Sequence, residues 1–379
     1  MRYNIQKLKN NTVSIVLYLS TIFSSSVVLL LLFIQHPKTA VMNVNNKEFR
    51  VVIIIIILTS INHFIHLASQ NVPYQGIQDY IPYTWLMIPT IMISTMINHE
   101  VRRALLTFIL FEAIIVIFQH YSGIVSFWAS TADIYSEHYG TDLMYHQRPC
   151  GLSKKPSTVA VKFLIGFIIL NQVNIKRREK LLISIVLIYA TVLNFNRSVM
   201  LAVALYYLYS FATSFDKRFF MKFIISRKIV IGLVLLFAII GGSLSRIDAI
   251  KYQLFRGQLN ISESTGRIMI WENGINYIRN NPILGNGSYK YYFKYYDKVF
   301  HMHNSYIQII TTHGIIISIL FFILIFLVWK RKGKYSILII IYSFFQYGIF
   351  WGISFIDIFF YSNIKTEINS NTKRIGRPL

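Results

Sequence analysis

Hydrophobic residues recur along the whole chain in long, nearly uninterrupted runs. Examples are TVSIVLYLSTIFSSSVVLLLLFI (12–34), VVIIIIILTSINHFIHLA (51–68) and SILFFILIFLVW (318–329). A helix of about 20 apolar residues crosses the hydrocarbon core of a bilayer, and lipid admits only helices or closed barrels because no backbone group there can bond to water. Barrel strands alternate apolar and polar residues, whereas these runs do not. The pattern predicts an all-α polytopic membrane protein.

The apolar runs divide the chain into about ten predicted transmembrane helices, which form a single transmembrane domain over residues 1–379. Both chain ends are basic and leave room for eleven or twelve helices, so the sidedness of the termini stays open. The ten helices are expected at residues 12–34, 50–69, 81–98, 104–119, 158–174, 180–195, 197–214, 229–246, 305–329 and 335–361.

The formal net charge of +23 is spread over short loops between the apolar runs, mainly residues 98–103, 174–180, 216–228 and 330–334. Basic loops of this kind remain on the cytoplasmic side of a membrane. Nucleic-acid binding is disfavoured, because the basic residues do not gather in one domain. With these loops inside, the segments predicted to face outward are 70–80, 120–157 and 247–304.

The large extracytoplasmic loop, residues 247–304, is long enough to carry structure of its own. Apolar residues recur in it at the spacing of one helix face, at Ile268, Trp271, Ile275 and Ile278. Ser262 or Ser264 can cap this helix, and the NNP sequence at 280–282 ends it near Arg279. We therefore predict an amphipathic helix that lies against the membrane surface or the bundle.

Polar residues stand beside apolar runs in three blocks of the chain. The blocks are Asn196-Arg197-Ser198 through Leu201, Gly266-Arg267 with Trp271 followed by Pro282, Gly285 and Gly287, and His303-Asn304 with Gly314. Together they resemble the O-antigen polymerase and ligase superfamily, and RPCGLSKKP (148–156) is a weaker match. The resemblance covers residues from about 145 to 330. Asn196 stands where the family usually has Ser, and Ile307 where Leu is common.

The resemblance implies a GT-C-like membrane glycosyltransferase without a cofactor. Such enzymes join undecaprenyl-diphosphate-linked oligosaccharides, as donor and acceptor, at the outer face of the bacterial cytoplasmic membrane, within membrane lipid and alongside a chain-length regulator in some systems. It implies that His303 is catalytic and that Arg197, Arg267 and Arg148 bind the diphosphate. The supporting residues it implies are Asn304, Trp271, Gly285 and Gly287.

The chemistry of the residues agrees with a metal-independent reaction. The chain has only 15 Asp and Glu, with no Asp-x-Asp and no His-Glu-x-x-His, so no site for a hard metal is evident. Guanidinium groups can grip phosphate oxygens instead. Arg197 could otherwise mark an interfacial turn and snorkel into headgroups, and Arg267 could be a solvated loop residue. For Arg148 and Lys290 such structural roles are favoured over phosphate binding.

A sugar hydroxyl must lose its proton to become a good nucleophile, and histidine is a suitable base near neutral pH. His303, at the mouth of an apolar run, is the expected base, although a histidine at a helix start is often a cap. His301 matches no family position, and it points elsewhere if residues 301–303 are extended, so no catalytic role is expected for it. In-line displacement at the anomeric carbon would invert its configuration.

Several functions share these features. A polymerase would build capsular polysaccharide or O-antigen from lipid-linked repeats, and a ligase would pass the glycan to a lipid or protein acceptor; the motifs serve both. A polysaccharide-lipid flippase would spread charges through several helices, whereas here they collect at outer helix ends and in loop 247–304. A sensor or structural protein would leave the Arg197, Arg267 and His303 constellation unexplained.

Overall fold

The computed structural model describes residues 2–23, 29, 32, 47–69, 82–128, 148–214, 267–295 and 298–362. This part of the chain is mostly helical. Its first helices are α1 (Arg2–Ile22), α2 (Lys47–Ala68), a 3-10 turn (Tyr83–Leu86), α3 (Met87–Thr95) and α4 (His99–Ser122). They are followed by α5 (Pro156–Gln172), α6 (Arg177–Asn194), α7 (Arg197–Ser214), α8 (Arg267–Asn280), α9 (Ser305–Phe345) and α10 (Phe355–Tyr361).

Helix α9 is a hairpin of two antiparallel arms. A straight helix of its 41 residues would be about 60 Å long. However, the Ser305 hydroxyl donates to the Gln346 carbonyl at 3.3 Å, and the Tyr306 hydroxyl donates to the Ile340 carbonyl at 2.7 Å. The chain therefore reverses within the basic segment 330–334. Arg331, at this bend, forms an ion pair of 2.8 Å with Glu48 at the start of α2.

The helices form a bundle whose core and outside are both apolar. Helix α5 is strongly enclosed, with nine consecutive buried residues from Lys162 to Leu170. It packs against α4, α6 and α7, and α9 packs against α2, α7 and α8. On the outside, large apolar side chains of α2, α4, α6 and α9 remain exposed, such as Ile57, Phe111, Leu182 and Phe326. An exposed apolar surface of this extent is suited to lipid.

Two of the described helices are long and apolar enough to cross a membrane, Lys47–Ala68 and Ser305–Arg331. Shorter apolar helices occupy Pro156–Gln172, Arg197–Tyr209 and Tyr335–Phe345. Helices therefore occur where the sequence places spans within the described residues, while the number of spans and their sidedness stay predictions. The predicted span 229–246 and the caps Ser262 and Ser264 lie outside the described residues.

The structure corrects the predicted architecture at two points. The span expected at 335–361 is interrupted, because α9 ends at Phe345 and α10 begins only at Phe355; residues 346–354 between them are called the helix break. The fold is also not purely α-helical. Strands β1 (Phe293–Tyr295) and β2 (Lys298–Phe300) form a short antiparallel hairpin in a segment rich in Tyr, Phe and Val, which favour strands.

Candidate functional site

The glycine motif at 282–288 packs into an opened turn of α9. Gly314 has a φ of 74°, and the Ile315 amide next to it donates to the Pro282 carbonyl at 2.8 Å. In return, the Asn286 amide donates to the Thr311 carbonyl at 2.8 Å, and the Ser288 amide donates to the Thr312 carbonyl at 2.9 Å. The loop backbone thus supplies partners for the helix backbone.

The glycines are needed for this close approach. A Cβ on Gly285 would overlap the Gly314 nitrogen, and one on Gly314 would overlap the Ile283 carbonyl. A Cβ on Gly287 would overlap the ring of His66 on α2. Gly285 and Gly287 therefore allow the loop to pack closely against α9 and α2, which is a structural role.

The loop then delivers His301 and His303 to the start of α9. His303 has a φ of 49°, a left-handed conformation that is uncommon for a residue with a side chain. This turn brings the two imidazole rings together, with 4.0 Å between their centroids, and lets the His303 amide donate to His301 Nδ1 at 3.1 Å. The expectation that His301 points elsewhere is wrong, because residues 301–303 are not extended.

Two predicted supporting residues fix this geometry. The buried Asn304 side chain accepts hydrogen bonds from the amides of Tyr306 at 2.9 Å and Ile307 at 3.1 Å, so it caps α9. The Trp271 indole on α8 donates to the Met302 carbonyl at 2.8 Å, between the two histidines. The amphipathic helix predicted in the loop is present as α8, and it holds the histidine segment from outside the bundle.

Cationic side chains surround the histidine pair. Burial, with the nearby Arg267 guanidinium, lowers the pKa of His303, although its hydrogen bond to Gln346 acts in the opposite direction. Burial, with His303, Arg267 and Lys290, lowers the pKa of His301 to about 3. Both imidazoles are consequently neutral at neutral pH, and a neutral imidazole can accept a proton.

The helix break forms the other side of the site. His303 Nδ1 lies 3.4 Å from the Gln346 side-chain oxygen, and the ring of His301 meets those of Tyr347 at 5.9 Å and Trp351 at 5.5 Å between centroids. Arg267 Nη1 donates to the Phe345 carbonyl at 3.2 Å, at the end of α9. A cavity of about 410 Å³ opens between this break, α1 and α5, and His301 is part of its wall.

Arg148 is bonded to the turn between α6 and α7, the turn that precedes Arg197. Arg148 Nε donates to the Asn194 carbonyl at 2.8 Å, and the Asn194 side chain donates to the Pro149 carbonyl at 2.8 Å. The Asn196 side chain accepts from the Val199 amide at 3.2 Å and so caps α7, which begins at Arg197. Because Ser and Asn are both good N-caps, the Asn196 replacement preserves the turn.

Arg148 links this turn to the rest of the site. It and Arg267 both act electrostatically on Tyr342, a residue of the cavity wall. The structure therefore brings together His303, Asn304, Trp271 and Arg267. Arg148 acts on a residue of the same cavity wall, and Arg197 follows the turn that Arg148 contacts. The phosphate-binding roles of the three arginines stay predictions.

Sequence reasoning missed the residues contributed by the helix break. Gln346, Tyr347 and Trp351 lie in an apolar stretch that was predicted as one span. Gly348 and Gly352, together with Gln346, were the available signal, because such residues interrupt apolar helices. Lys290 was considered only weakly, yet its ammonium donates to the Trp351 carbonyl at 2.8 Å and lies 4.3 Å from the centre of the Trp351 ring.

Comparison with protein families gives an independent result. Residues 182–322 match the O-antigen ligase family model, and this range contains Arg197, Arg267, Trp271, Gly285, Gly287, His303 and Asn304. The match confirms the resemblance to the O-antigen polymerase and ligase superfamily, and it supports glycosyl transfer with lipid-linked glycans at a membrane as the general activity. No curated protein matches the chain.

Proposed function

We propose that this chain, with its O-antigen ligase domain at residues 182–322, polymerises undecaprenyl-diphosphate-linked oligosaccharide repeat units into capsular polysaccharide or O-antigen. It does so as a multi-pass protein of the bacterial cytoplasmic membrane, with its site facing outward. The growing glycan on one lipid diphosphate is the donor, and a new lipid-linked repeat is the acceptor.

The observation that carries this proposal is the position of His303 between Arg267 and the helix break. The Gln346 oxygen can only accept a hydrogen bond, so its contact with His303 Nδ1 at 3.4 Å puts the imidazole proton on Nδ1. The lone pair of Nε2 is then available as a base. The lowered pKa of His303 keeps this base unprotonated at neutral pH.

The transfer step follows from these roles. His303 Nε2 accepts the proton of the acceptor hydroxyl while the hydroxyl oxygen attacks the anomeric carbon of the donor. The bond from that carbon to the diphosphate breaks, and the diphosphate leaves with the electron pair. Arg267, Arg197 and Arg148 stabilise the negative charge that grows on the diphosphate oxygens. Direct displacement inverts the anomeric configuration, and no metal takes part.

Ligation is the second candidate, because the matched family model is described as O-antigen ligase. A ligase and a polymerase use the same donor chemistry and differ in the acceptor. A polymerase given only lipid-linked repeats produces a ladder of longer lipid-linked glycans. A ligase leaves them unextended until a lipid A core or an acceptor protein is added.

The test uses the purified full chain in lipid nanodiscs with labelled lipid-linked repeats. We expect a polymer ladder, and we expect His303→Ala to lower the rate of transfer by roughly 10²–10⁴-fold, the usual effect of losing a general base. Binding of lipid-linked donor should be retained. His120→Ala, which changes an exposed histidine at the end of α4, is the matched control and should transfer normally.

Two results would contradict the proposal. Transfer only to an added core lipid or protein would replace polymerisation with ligation. A His303→Ala variant that transfers as fast as His120→Ala, at equal amounts of folded protein, would remove His303 as the base.

A further inference from the structure

The cavity beside His301 has the size of a ligand site. Its volume of about 410 Å³ falls within the range of roughly 300–1,000 Å³ that is common for pockets binding small molecules. Its wall comes mainly from α1, the start of α5 and the helix break, with further residues from the end of α9 and the start of α10. It is continuous with the candidate site, because His301 and Gln346 belong to its wall and Gln346 also contacts His303.

The wall of this cavity is suited to a sugar more than to a diphosphate. Hydroxyl groups line it at Ser20, Thr21, Ser157, Thr158 and Ser354. The hydroxyls of Ser20 and Thr21 donate to carbonyls of their own helix at 2.7 Å and 2.6 Å, so their oxygen lone pairs can accept from sugar hydroxyls. Among the described lining residues, Lys155 is the single permanent cation.

Apolar side chains, both aromatic and aliphatic, form much of the remaining wall. Tyr347 and Trp351 stand edge to face, with 4.5 Å between their ring centroids, and both contribute to the cavity wall. A flat apolar face beside hydroxyl acceptors matches a pyranose ring, which presents C–H groups on its faces and hydroxyls at its edge.

His301 supplies a hydrogen-bond donor to this wall. The His303 backbone amide can only donate, so the 3.1 Å contact requires a lone pair on His301 Nδ1. Neutral His301 therefore carries its proton on Nε2. The two histidines have opposite capacities: His303 presents an acceptor nitrogen, and His301 presents a donor.

We propose that this cavity is the subsite for the sugar of the acceptor glycan, with His301 Nε2–H bonding a sugar oxygen and Trp351 lying against the ring. The proposal rests on the proposed glycosyl transfer and assigns its acceptor side. A sugar held here has its reacting hydroxyl next to the histidine pair, so that His303 can take its proton.

The test uses an acceptor that cannot act as a donor. The oligosaccharide of one repeat, released from the cell's own lipid-linked intermediate and converted to an alkyl glycoside, lacks the diphosphate leaving group. Its Kd for the full chain in nanodiscs, and its KM in transfer from labelled lipid-linked glycan, are measured together with the KM for the donor.

Two substitutions at His301 separate its structural contact from its proposed binding role. His301→Asn keeps an oxygen near the position of Nδ1 to accept from the His303 amide, but its side chain is too short to donate into the cavity. We expect a rise of roughly tenfold in the acceptor Kd and KM, the upper effect of one neutral hydrogen bond, with kcat and donor KM changed less than about threefold. His301→Gln reaches the position of Nε2 with an amide donor and should recover most of the affinity.

Substitutions at Trp351 test the aromatic wall in the same assays. Trp351→Ala should raise the acceptor KM by roughly tenfold, and Trp351→Phe should raise it less, because it retains a ring. Trp329→Ala, at an exposed tryptophan of α9, and His120→Asn are the matched controls and should leave the acceptor KM unchanged.

The outcomes distinguish this proposal from the function on which it rests. If the wild type transfers glycan but His301→Asn and Trp351→Ala bind the alkyl glycoside normally, the subsite is wrong and the transfer function stands. If these variants raise the donor KM instead, the cavity belongs to the donor. If the wild type transfers nothing and does not bind the glycoside, both proposals fall.

Discussion

Two polar clusters of this molecule, one fully buried and one partly buried, differ in the groups that they bring together. The first, here called the charge anchor, consists of Glu112 on α4, Lys162 on α5 and Tyr18 on α1. Its ion pair spans 2.9 Å with both side chains fully buried, the Tyr18 hydroxyl donates to the same carboxylate, and the Leu152 amide donates to it at 2.9 Å. The second is the histidine pair with Arg267 and Lys290.

The charge anchor balances one acid with one base, which is what a buried structural pair requires. Its bond to the Leu152 amide is supported next to it by Gln119 on α4, which exchanges two hydrogen bonds with Gly151 at 2.7 Å and 2.9 Å. The second cluster combines two cations with two imidazoles. Asp357 lies near Lys290, but its carboxylate accepts from the Phe350 and Trp351 amides in the helix break. We infer that the first cluster stabilises the fold and that the second, which brings Arg267 and Lys290 to the histidine pair, contributes to the proposed site for an anionic substrate.

The largest expected effect comes from breaking the charge anchor. Lys162→Met would leave the Glu112 carboxylate buried without its partner, and removing one member of a buried pair costs roughly 3–5 kcal/mol. Thermal unfolding in detergent should show a clear fall in Tm and little monodisperse protein. The double variant Glu112→Gln with Lys162→Met should recover stability, since neither charge is then buried alone. A single variant as stable as the wild type would contradict the structural role of the pair.

A smaller effect is expected at the turn between α6 and α7. Arg197→Ala should lower kcat/KM for the lipid-linked donor by about 10- to 100-fold, the scale of a hydrogen bond to a charged group, and leave Tm close to that of the wild type. Arg197→Lys should recover part of the activity, because an ammonium cannot make a two-pronged contact with phosphate. Arg279→Ala, at an exposed position of α8, is the control. Equal activity of Arg197→Ala and this control would show that Arg197 does not bind the donor.

The pH dependence of the reaction should change when Arg267 is removed. The Arg267 charge helps to lower the pKa of His303, and the base acts only when unprotonated. In Arg267→Gln the pKa of His303 rises, so that more of the histidine is protonated at a given acidic pH. The acid limb of the kcat profile should therefore move to higher pH, as measured with saturating donor. Arg279→Gln is the control and should leave the acid limb where it is in the wild type. If Arg267→Gln also leaves it there, the Arg267 charge does not set the pKa of the catalytic base.

The smallest effect is expected from chelation of metals. The chain contains only 15 Asp and Glu, and the proposed reaction neutralises the diphosphate with guanidinium groups. Purified enzyme in excess EDTA should extend lipid-linked glycan at the same rate as without it. Loss of activity in EDTA that magnesium restores would show that a metal handles the leaving group.

Local patterns in the sequence predicted the helices more reliably than their ends. The spacing of Ile268 and Trp271 predicted α8, because one helix face repeats at three and four residues. By contrast, α4 was expected to begin at residue 104, where the apolar run begins, but it begins at His99. The Asn98 side chain accepts from the Val101 amide at 2.9 Å and starts the helix inside a charged segment.

The candidate site was predicted only in part, because its geometry depends on contacts between distant segments. Family motifs predicted His303 and Asn304, since their types and spacing are local. The left-handed backbone of His303 carries no sequence signal, and it alone brings His301 into the site. The contact of His303 with Gln346, separated by 43 residues, depends on the hairpin of α9 and on the helix break.

Helix α9 has an opened turn at Gly314. Its insertion into a bilayer therefore depends on a segment of the chain that is synthesised earlier. The Thr311 and Thr312 carbonyls and the Ile315 amide have partners in residues 282–288. Each would cost several kcal/mol if it entered lipid unpaired. Residues 282–288 must therefore fold onto the nascent helix before that helix leaves the insertion machinery for lipid. Substituting Gly285 should thus act as a defect of membrane biogenesis, seen as lost insertion and rapid degradation, before any effect on glycan transfer can be measured.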